Sequence, residues 1–177
     1  MNIIRKATIE DAELLSQLGA ITFSEAFGEV NTREDLESYL QSAFSIHQMK
    51  SEIEEDGNVF FLLFQNDEAI AYAKLNTNER VNTLEGKKTV QIQRIYARKK
   101  ALGTGIGALL MQQCISESLA KGMEVIWLTV WQQNLRAVEF YKKWGFEIIG
   151  EKQFMVGKKL YNDHVMKLDL NKNHAQP

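Results

Sequence analysis

The chain has 177 residues, of which 45% are hydrophobic and 25% are charged, a composition typical of one globular domain and not of a disordered or fibrous protein. Its 21 basic and 23 acidic residues give a net charge of −2, so no basic excess points to nucleic acid as a partner. One cysteine, no signal-peptide pattern and no run of the roughly 18 to 20 apolar residues that cross a bilayer predict a soluble, cytoplasmic protein without a membrane partner.

The first half of the chain begins with a strand, continues with helices and then changes to the period of strands. Thr8 and Thr32 each open a helical pattern, and each has an acidic residue three positions later, as in a capping box. Asn66-Asp67-Glu68 separates two apolar runs, which is a hairpin signal. The predicted elements are a strand over Ile3–Ala7, helices from Thr8, from Thr32 and over Ile46–Glu55, and strands over Val59–Gln65 and Ala69–Asn76.

The second half alternates strands and helices. Gly122 and Gly145 each end a helical pattern at a C-cap position. The predicted elements are strands over Val90–Tyr96, Val125–Val130, Phe146–Phe154 and Tyr161–Asp169, and helices over Gly105–Lys121 and Asn134–Trp144. This order predicts a mixed α/β sheet of about seven strands flanked by about four to five helices. We expect a single domain over 1–170 and a polar, frayed tail over 171–177.

A glycine-rich segment, 102–108, lies between a predicted strand and a predicted helix. Glycines let backbone N–H groups approach a ligand, and a helix N-terminus carries partial positive charge, so the segment favours phosphate or pyrophosphate. A tight turn packed on the sheet is the alternative. A P-loop is excluded because Ala108-Leu109 follows the last glycine. The dinucleotide pattern G-x-G-x-x-A is present, but the next strand lacks the acid that holds a ribose.

A second pattern runs from Asn134 to Phe146. Asn134, Ala137, Tyr141 and Trp144 would share one helix face, although core packing with Asn134 as a simple N-cap explains the same spacing. Glycine turn, strand and N-x-x-A-x-x-F-Y-x-x-x-G-F together resemble the GNAT superfamily of N-acetyltransferases over roughly 89–146. Further stretches resemble the bacterial spermidine/spermine acetyltransferase group: Thr22-Phe23 with Phe27, Tyr39-Leu40 with Ala43-Phe44, Arg94-Ile95-Tyr96, and Trp127-Leu128-x-Val130-Trp131.

The resemblance implies that acetyl-CoA lies between two splayed central strands, those ending at Tyr96 and Val130. The backbone of Val130 would then stabilise the oxyanion, and Tyr141 would lie at the sulfur as the catalytic acid that protonates the leaving thiolate. The cofactor-binding residues that the resemblance implies are Ile95, Tyr96, Ala97, Leu102, Gly103, Thr104, Gly105, Ile106, Gly107, Ala108, Val130, Asn134, Tyr141 and Lys143.

Two positions depart from the family pattern. Leu102 stands where the family has Gln or Arg, which removes a side-chain contact to phosphate. Gln93 stands where related enzymes often carry a glutamate, and an amide cannot act as a base, so the general base is left open. His164 is a weak candidate, with ordinary packing as the alternative. The three histidines offer no metal-ligand spacing, so we expect no metal.

The chemistry and the resemblance together predict an acetyl-CoA-dependent N-acetyltransferase that acts by direct attack in a ternary complex. A small-molecule amine is the expected acceptor, with polyamines first and with a protein N-terminus, an amino acid or an aminoglycoside as open alternatives. A homodimer is common in such families. The acids Glu25, Glu29, Glu34, Asp35 and Glu37 would favour a polycation, or they simply form solvated helix faces. The alternative from another class is an inactive CoA-binding sensor or regulatory module, which Gln93 alone suggests.

Overall fold

The computed structural model describes residues 1–170, so the tail predicted at 171–177 lies outside the described residues. Within these residues, seven strands and five α-helices follow in the order expected from the sequence. The strands are β1 Asn2–Lys6, β2 Asn58–Gln65, β3 Glu68–Asn76, β4 Thr89–Ala97, β5 Val125–Trp131, β6 Glu147–Val156 and β7 Lys159–Asp169. The helices are α1 Ala12–Phe27, α2 Arg33–Ala43, α3 Ile46–Glu54, α4 Ile106–Ala120 and α5 Leu135–Lys143.

Local signals in the sequence explain where the early helices begin. The Thr32 side chain accepts a hydrogen bond from the Asp35 N–H and caps α2, while Ser45 caps α3 in the same way. The helix predicted from Thr8 starts instead as a 3-10 turn over Ile9–Asp11, and α1 follows it. The Thr8 N–H donates to the Asp11 carboxylate at 2.8 Å, so the predicted acid does hold the first turn.

One seven-stranded sheet runs through the molecule in the order β1-β2-β3-β4-β5-β7-β6. The neighbouring strands pair antiparallel except for β4 and β5, which are parallel. The prediction of a mixed α/β sheet with about seven strands and four to five helices is therefore confirmed. A parallel pair requires a crossover between its strands, and α4 supplies it.

Helices cover both faces of the sheet. On the first face, which carries Val90, Ile126 and Met166, the core includes apolar side chains of α4 and α5. On the second face, which carries Phe60 and Tyr72, the core includes apolar side chains of α1 and α3. No helix within residues 1–170 is both long enough and apolar enough to span a membrane.

Candidate active site

The two central strands separate partway along their length. β4 and β5 pair only from Thr89, opposite Val125, to Gln91, opposite Trp127. Residues 92–97 of β4 and 128–131 of β5 have no pairing with each other, and between them lies an opening that we call the wedge. The predicted splay of these strands is therefore present in the structure.

The β4 margin of the wedge offers backbone groups at every second residue. The Arg98 N–H donates to the Ile70 carbonyl at 2.8 Å, which sets the phase of the β3–β4 ladder. Because antiparallel ladders alternate, Tyr96 turns its backbone groups towards β3, while Ile95 and Ala97 turn theirs towards the wedge. Of the three predicted residues on β4, two thus present free backbone groups and Tyr96 does not.

The β5 margin differs from the expectation at Val130. The Gln132 N–H donates to the Asn162 carbonyl of the β7 side at 3.1 Å, so the even-numbered residues of β5 pair with β7. The Val130 amide therefore belongs to that ladder and cannot meet an oxyanion in the wedge. The N–H groups of Thr129 and Trp131 face the wedge instead, and they replace Val130 as the candidate oxyanion donors.

A β-bulge lies on β4 where the wedge opens. Arg94 pairs with Lys74 and Ile92 with Leu75, so Gln93 is the extra residue. Ile92 and Ile95 both pack in the core of the first face, which directs Gln93 and Arg94 away from that face. The Gln93 Oε1 atom is buried and has no hydrogen-bond partner within residues 1–170.

The glycine segment forms an open loop at the N-terminus of α4. Gly103 and Gly105 have φ angles of +81° and +89°, a region that other residues rarely adopt. Gly107 lies inside the helix, and a Cβ there would contact the Phe140 ring at an ordinary 3.6 Å. Five backbone N–H groups donate to no acceptor within residues 1–170: those of Gly103, Gly105, Ile106, Gly107 and Ala108. This set fits an anion such as pyrophosphate.

The side chains of the loop offer fewer groups to an anion than its backbone does. Leu102 is 45% exposed, and the Thr104 hydroxyl is occupied by a hydrogen bond to the Ala101 carbonyl at 2.7 Å. Arg136, which we did not predict, lies beside the loop: its Nη2 atom is 3.5 Å from the position of a Cβ on Gly103. Only its place in the first turn of α5, two residues after Asn134, could have suggested it.

Helix α5 carries the other predicted residues. The Asn134 Oδ1 accepts a hydrogen bond from the Ala137 N–H at 3.2 Å, so this side chain does serve as an N-cap. Lys143 is exposed and forms no ion pair within the described chain. It lies seven residues after Arg136 and therefore on the same side of the helix.

Tyr141 is buried in the core of the first face, with its ring near those of Phe140 and Phe146. Burial first, and the nearby Cys114 second, raise the pKa of the phenol well above its ordinary value, so it stays protonated. Burial also raises the pKa of the Cys114 thiol to about 12, as expected of a small core residue and not of a nucleophile.

Aromatic side chains line the second face near the wedge. The Trp131 ring lies 5.2 Å from that of Tyr161 and 6.1 Å from that of Phe27, measured between centroids. The β6–β7 hairpin contacts the segment between α1 and α2, where the Tyr161 hydroxyl donates to Asn31 Oδ1 at 2.8 Å. It also contacts the first turn of α2, where the Lys158 N–H donates to Asp35. These contacts form one wall beside the wedge.

The charged residues of this region are partly neutralised within the chain. Glu25 binds Arg98 at 3.1 Å, and Lys100 binds Glu68 at 2.6 Å, so two cations of the Arg98-Lys99-Lys100 run are occupied. Of the five predicted acids, Glu25, Asp35 and Glu37 form contacts, while Glu29 and Glu34 are exposed without an ion pair within residues 1–170.

His164 lies on β7 opposite Val130, on the first face, and is half-buried. Its Nδ1 atom is buried and has no hydrogen-bond partner among residues 1–170. Because the aromatic wall lies on the second face, His164 is separated by the sheet from an acceptor that enters there. In residues 1–170, no three or more His, Cys, Asp or Glu side chains are grouped so as to hold a metal ion.

Comparison with known proteins places these features in one family. Residues 24–146 match the model of the acetyltransferase (GNAT) family. An uncharacterized N-acetyltransferase encoded in the pepI 3′ region of Lactobacillus delbrueckii subsp. lactis is 29% identical over 146 residues, which cover 82% of this chain and 84% of that protein. An uncharacterized N-acetyltransferase of Mycobacterium tuberculosis is 27% identical over 90% of this chain and 98% of its own length.

Solved structures share the fold at low sequence identity. The PaiA N-acetyltransferase from Thermoplasma acidophilum, solved in complex with coenzyme A, superposes with a TM-score of 0.77 at 21% identity, covering 96% of this chain and 99% of that one. The ribosomal-protein-S18-alanine N-acetyltransferase from Escherichia coli gives a TM-score of 0.67 at 19% identity, covering 99% of both chains.

Proposed function

This chain belongs to the GNAT family of acetyltransferases and uses acetyl-CoA as its cosubstrate, and on that premise we propose that it acetylates a primary amine of a small molecule, with polyamines such as spermidine and spermine as acceptors. The transfer is a direct attack of the amine on the thioester in a ternary complex. The observation that carries the proposal is the wedge between β4 and β5, because its free backbone groups end beside the open loop of α4.

The two ends of acetyl-CoA differ in chemistry, and the wedge and the loop match them separately. The amide-bearing pantetheine arm would pair with the backbone groups of Ile95 and Ala97 as an added strand. The pyrophosphate would accept from the N–H groups of Gly103 and 105–108. Arg136 adds positive charge beside that loop, and Lys143 adds it farther along the same side of α5. Asn134 caps α5, and the side chains of Tyr96 and Val130 pack in the cores of the two faces.

Three groups of this chain serve the reaction once the acetyl thioester is bound. The N–H groups of Thr129 and Trp131 donate to the oxyanion that forms when the amine attacks the carbonyl. Tyr141 gives its proton to the departing thiolate. Neither role requires a covalent intermediate on the protein.

Cation recognition supports a polyamine as the acceptor. Trp131 is half-buried next to the wedge, and its aromatic face can attract an ammonium group. Phe27 and Tyr161 are buried behind it, and the Lys159 Nζ atom already lies 5.2 Å from the centre of the Tyr161 ring. Glu29 and Glu34 add free negative charge at the ends of α1 and α2. Each favours an extended cation over an acceptor that carries a carboxylate.

A panel of acceptors tests this choice. We expect spermidine and spermine to give a higher kcat/KM than dipeptides with a free N-terminus, free amino acids or an aminoglycoside, each measured by thiol release from acetyl-CoA. A peptide N-terminus with the higher kcat/KM would overturn the polyamine proposal and leave the acetyltransferase activity intact. The homodimer and the cytoplasmic location stay predictions.

A further inference from the structure

The general base of the reaction is the part that the sequence leaves open, because Gln93 cannot take a proton. Three carboxylates are buried within residues 1–170: Asp11, Glu52 and Asp163. Asp11 is held by Arg5 at 2.7 Å, and Glu52 is held by both Lys74 and Arg94. Asp163 is 7% exposed, and its Oδ1 atom has no hydrogen-bond partner in the described chain. It is thus the buried carboxylate among them that has capacity for a ligand.

The position of Asp163 relates it to the wedge. It lies on β7 directly opposite Trp131 of β5. Tyr161 lies two residues before it and packs in the core of the second face, and strand alternation puts Asp163 on that same face. Its carboxylate is therefore beside the aromatic wall, one strand spacing of about 5 Å from the β5 margin of the wedge.

The groups that face the Asp163 carboxylate do not fully neutralise its charge. Thr129 of β5 lies beside it, Lys152 is its partner on β6, and His164 follows it on β7. None of these forms an ion pair with it within residues 1–170. Burial raises the pKa of Asp163 above the ordinary aspartate value, although the Thr129 hydroxyl, His164 and Lys152 act against the rise. A carboxylate with a raised pKa is a better base near neutral pH.

We propose that Asp163 binds the ammonium group of the acceptor and takes its proton, as the general base of the acetyl transfer. The inference rests on the proposed function, since it requires an amine acceptor at the wedge. An N–H bond of the ammonium breaks and its proton goes to Asp163, directly or across one water, which frees the nitrogen lone pair. The C–N bond to the acetyl carbon then forms and the C–S bond breaks.

The remaining protons balance within the site. Tyr141 protonates the thiolate, and the second proton on the new amide nitrogen returns to the tyrosinate. The proton on Asp163 leaves to solvent, so one proton is released for each acetylamine formed. The ionisation state of Asp163 therefore controls the rate on the acidic side of the pH profile.

Replacing Asp163→Asn tests this role, because it removes the charge and keeps the shape. With acetyl-CoA and spermidine, we expect kcat/KM for spermidine to fall about 10²- to 10⁴-fold and the acidic limb of its pH profile to disappear. Acetyl-CoA affinity should stay within about twofold, since the phosphate loop is untouched. Glu151→Gln is the matched control, because it neutralises an exposed carboxylate on the neighbouring strand. It should keep the wild-type kcat/KM for spermidine and the acidic limb of the pH profile.

The remaining outcomes separate this inference from the proposed function. A folded Asp163→Asn variant with near wild-type kcat/KM and an intact acidic limb overturns the role of Asp163 alone. If that variant does not fold, Asp163→Glu decides: a shifted midpoint of the acidic limb supports a base at this position, and an unchanged midpoint overturns it. A wild-type protein inactive with spermidine overturns the polyamine acceptor, and the comparison then uses whichever amine it acetylates. Inactivity with every amine overturns both proposals.

Discussion

The carboxylate of Glu52 on α3 accepts two hydrogen bonds, of 2.8 and 3.1 Å, from the guanidinium of Arg94 on β4. Lys74 on β3 donates to the same carboxylate at 2.7 Å. All three side chains are buried or nearly so: Glu52 is 8% exposed, Arg94 13% and Lys74 3%. The Arg94 guanidinium also lies 4.9 Å from the centre of the Phe44 ring. Because Arg94 follows the bulged Gln93, this cluster ties α3 to the margin of the wedge.

Replacing Glu52→Gln should destabilise the protein strongly, because it leaves Lys74 and Arg94 buried without their counter-charge. Loss of one partner of a buried ion pair costs about 3 to 5 kcal/mol. The free energy of unfolding in urea measures the effect. Glu37→Gln, which removes an exposed ion pair with Arg33, is the control and should leave stability unchanged. Equal stability of the two variants would show that the cluster does not hold the fold.

Acid should unfold the protein partly through Glu52 and Asp11. Burial would raise the pKa of Glu52, but Arg94, Gln48 and Lys74 together hold it below its ordinary value. Hydrogen bonds from Arg5 lower the pKa of Asp11. Each depressed pKa stabilises the fold fully above the unfolded value, near 4, and the contribution is lost as the pH falls through the folded value. The free energy of unfolding in urea should therefore decline between pH 6 and pH 3. In the Glu52→Gln variant this decline should be less steep. An equally steep decline in that variant would contradict the assignment to Glu52.

Gly105→Val should weaken acetyl-CoA binding about tenfold or more. The side chain would enter the open side of the loop, where the five free N–H groups lie, and Val resists a φ of +89°. Gly122→Val is the matched control: it has a φ of +67° and open space at the other end of the same helix. Calorimetry should find normal affinity in the control, and a similar loss in both variants would show that strain alone is responsible.

Arg136→Ala should raise the Kd for acetyl-CoA several-fold, and the difference from wild type should shrink with added salt, because the contact is charge-based and exposed. Lys100→Ala removes a cation that Glu68 already occupies and should change the Kd little. If Lys100→Ala has the larger effect in the same titration, the phosphate contacts are misplaced.

Tyr141→Phe should lower kcat by about 10²- to 10⁴-fold while acetyl-CoA affinity stays nearly constant, because only the hydroxyl that protonates the thiolate is lost. The ring remains between Phe140 and Phe146, so the melting temperature should change little. A lower melting temperature together with an unaltered kcat would remove Tyr141 from the mechanism and leave it a core residue.

Features set by neighbouring residues were predictable from the sequence. The caps at Thr32 and Asn134 and the turns at Gly103 and Gly105 follow from local chemistry, and the period of the apolar residues indicated most elements. The family resemblance then pointed to the splayed strands. The sequence did not indicate which side of a strand the backbone N–H and C=O groups of a given residue face. That depends on the phase of the hydrogen-bond pairing with a strand distant in the sequence.

That phase explains the main correction at the site. Nothing local to Val130 indicates whether its amide faces β7 or the wedge; the contact of Gln132 with Asn162 decides it. The bulge at Gln93 likewise arises from the register with β3. The approach of Arg136 to Gly103 depends on the packing of α5 beside α4, which is equally non-local.

The most direct test of this account is the reaction of the wild-type protein with acetyl-CoA and the amine panel, followed by thiol release and by mass spectrometry of the acceptor. We predict one free thiol for each acetylated amine, and no thiol release when the amine is omitted. Tight binding of acetyl-CoA without thiol release for any amine would contradict the account and identify the protein as a CoA-binding sensor.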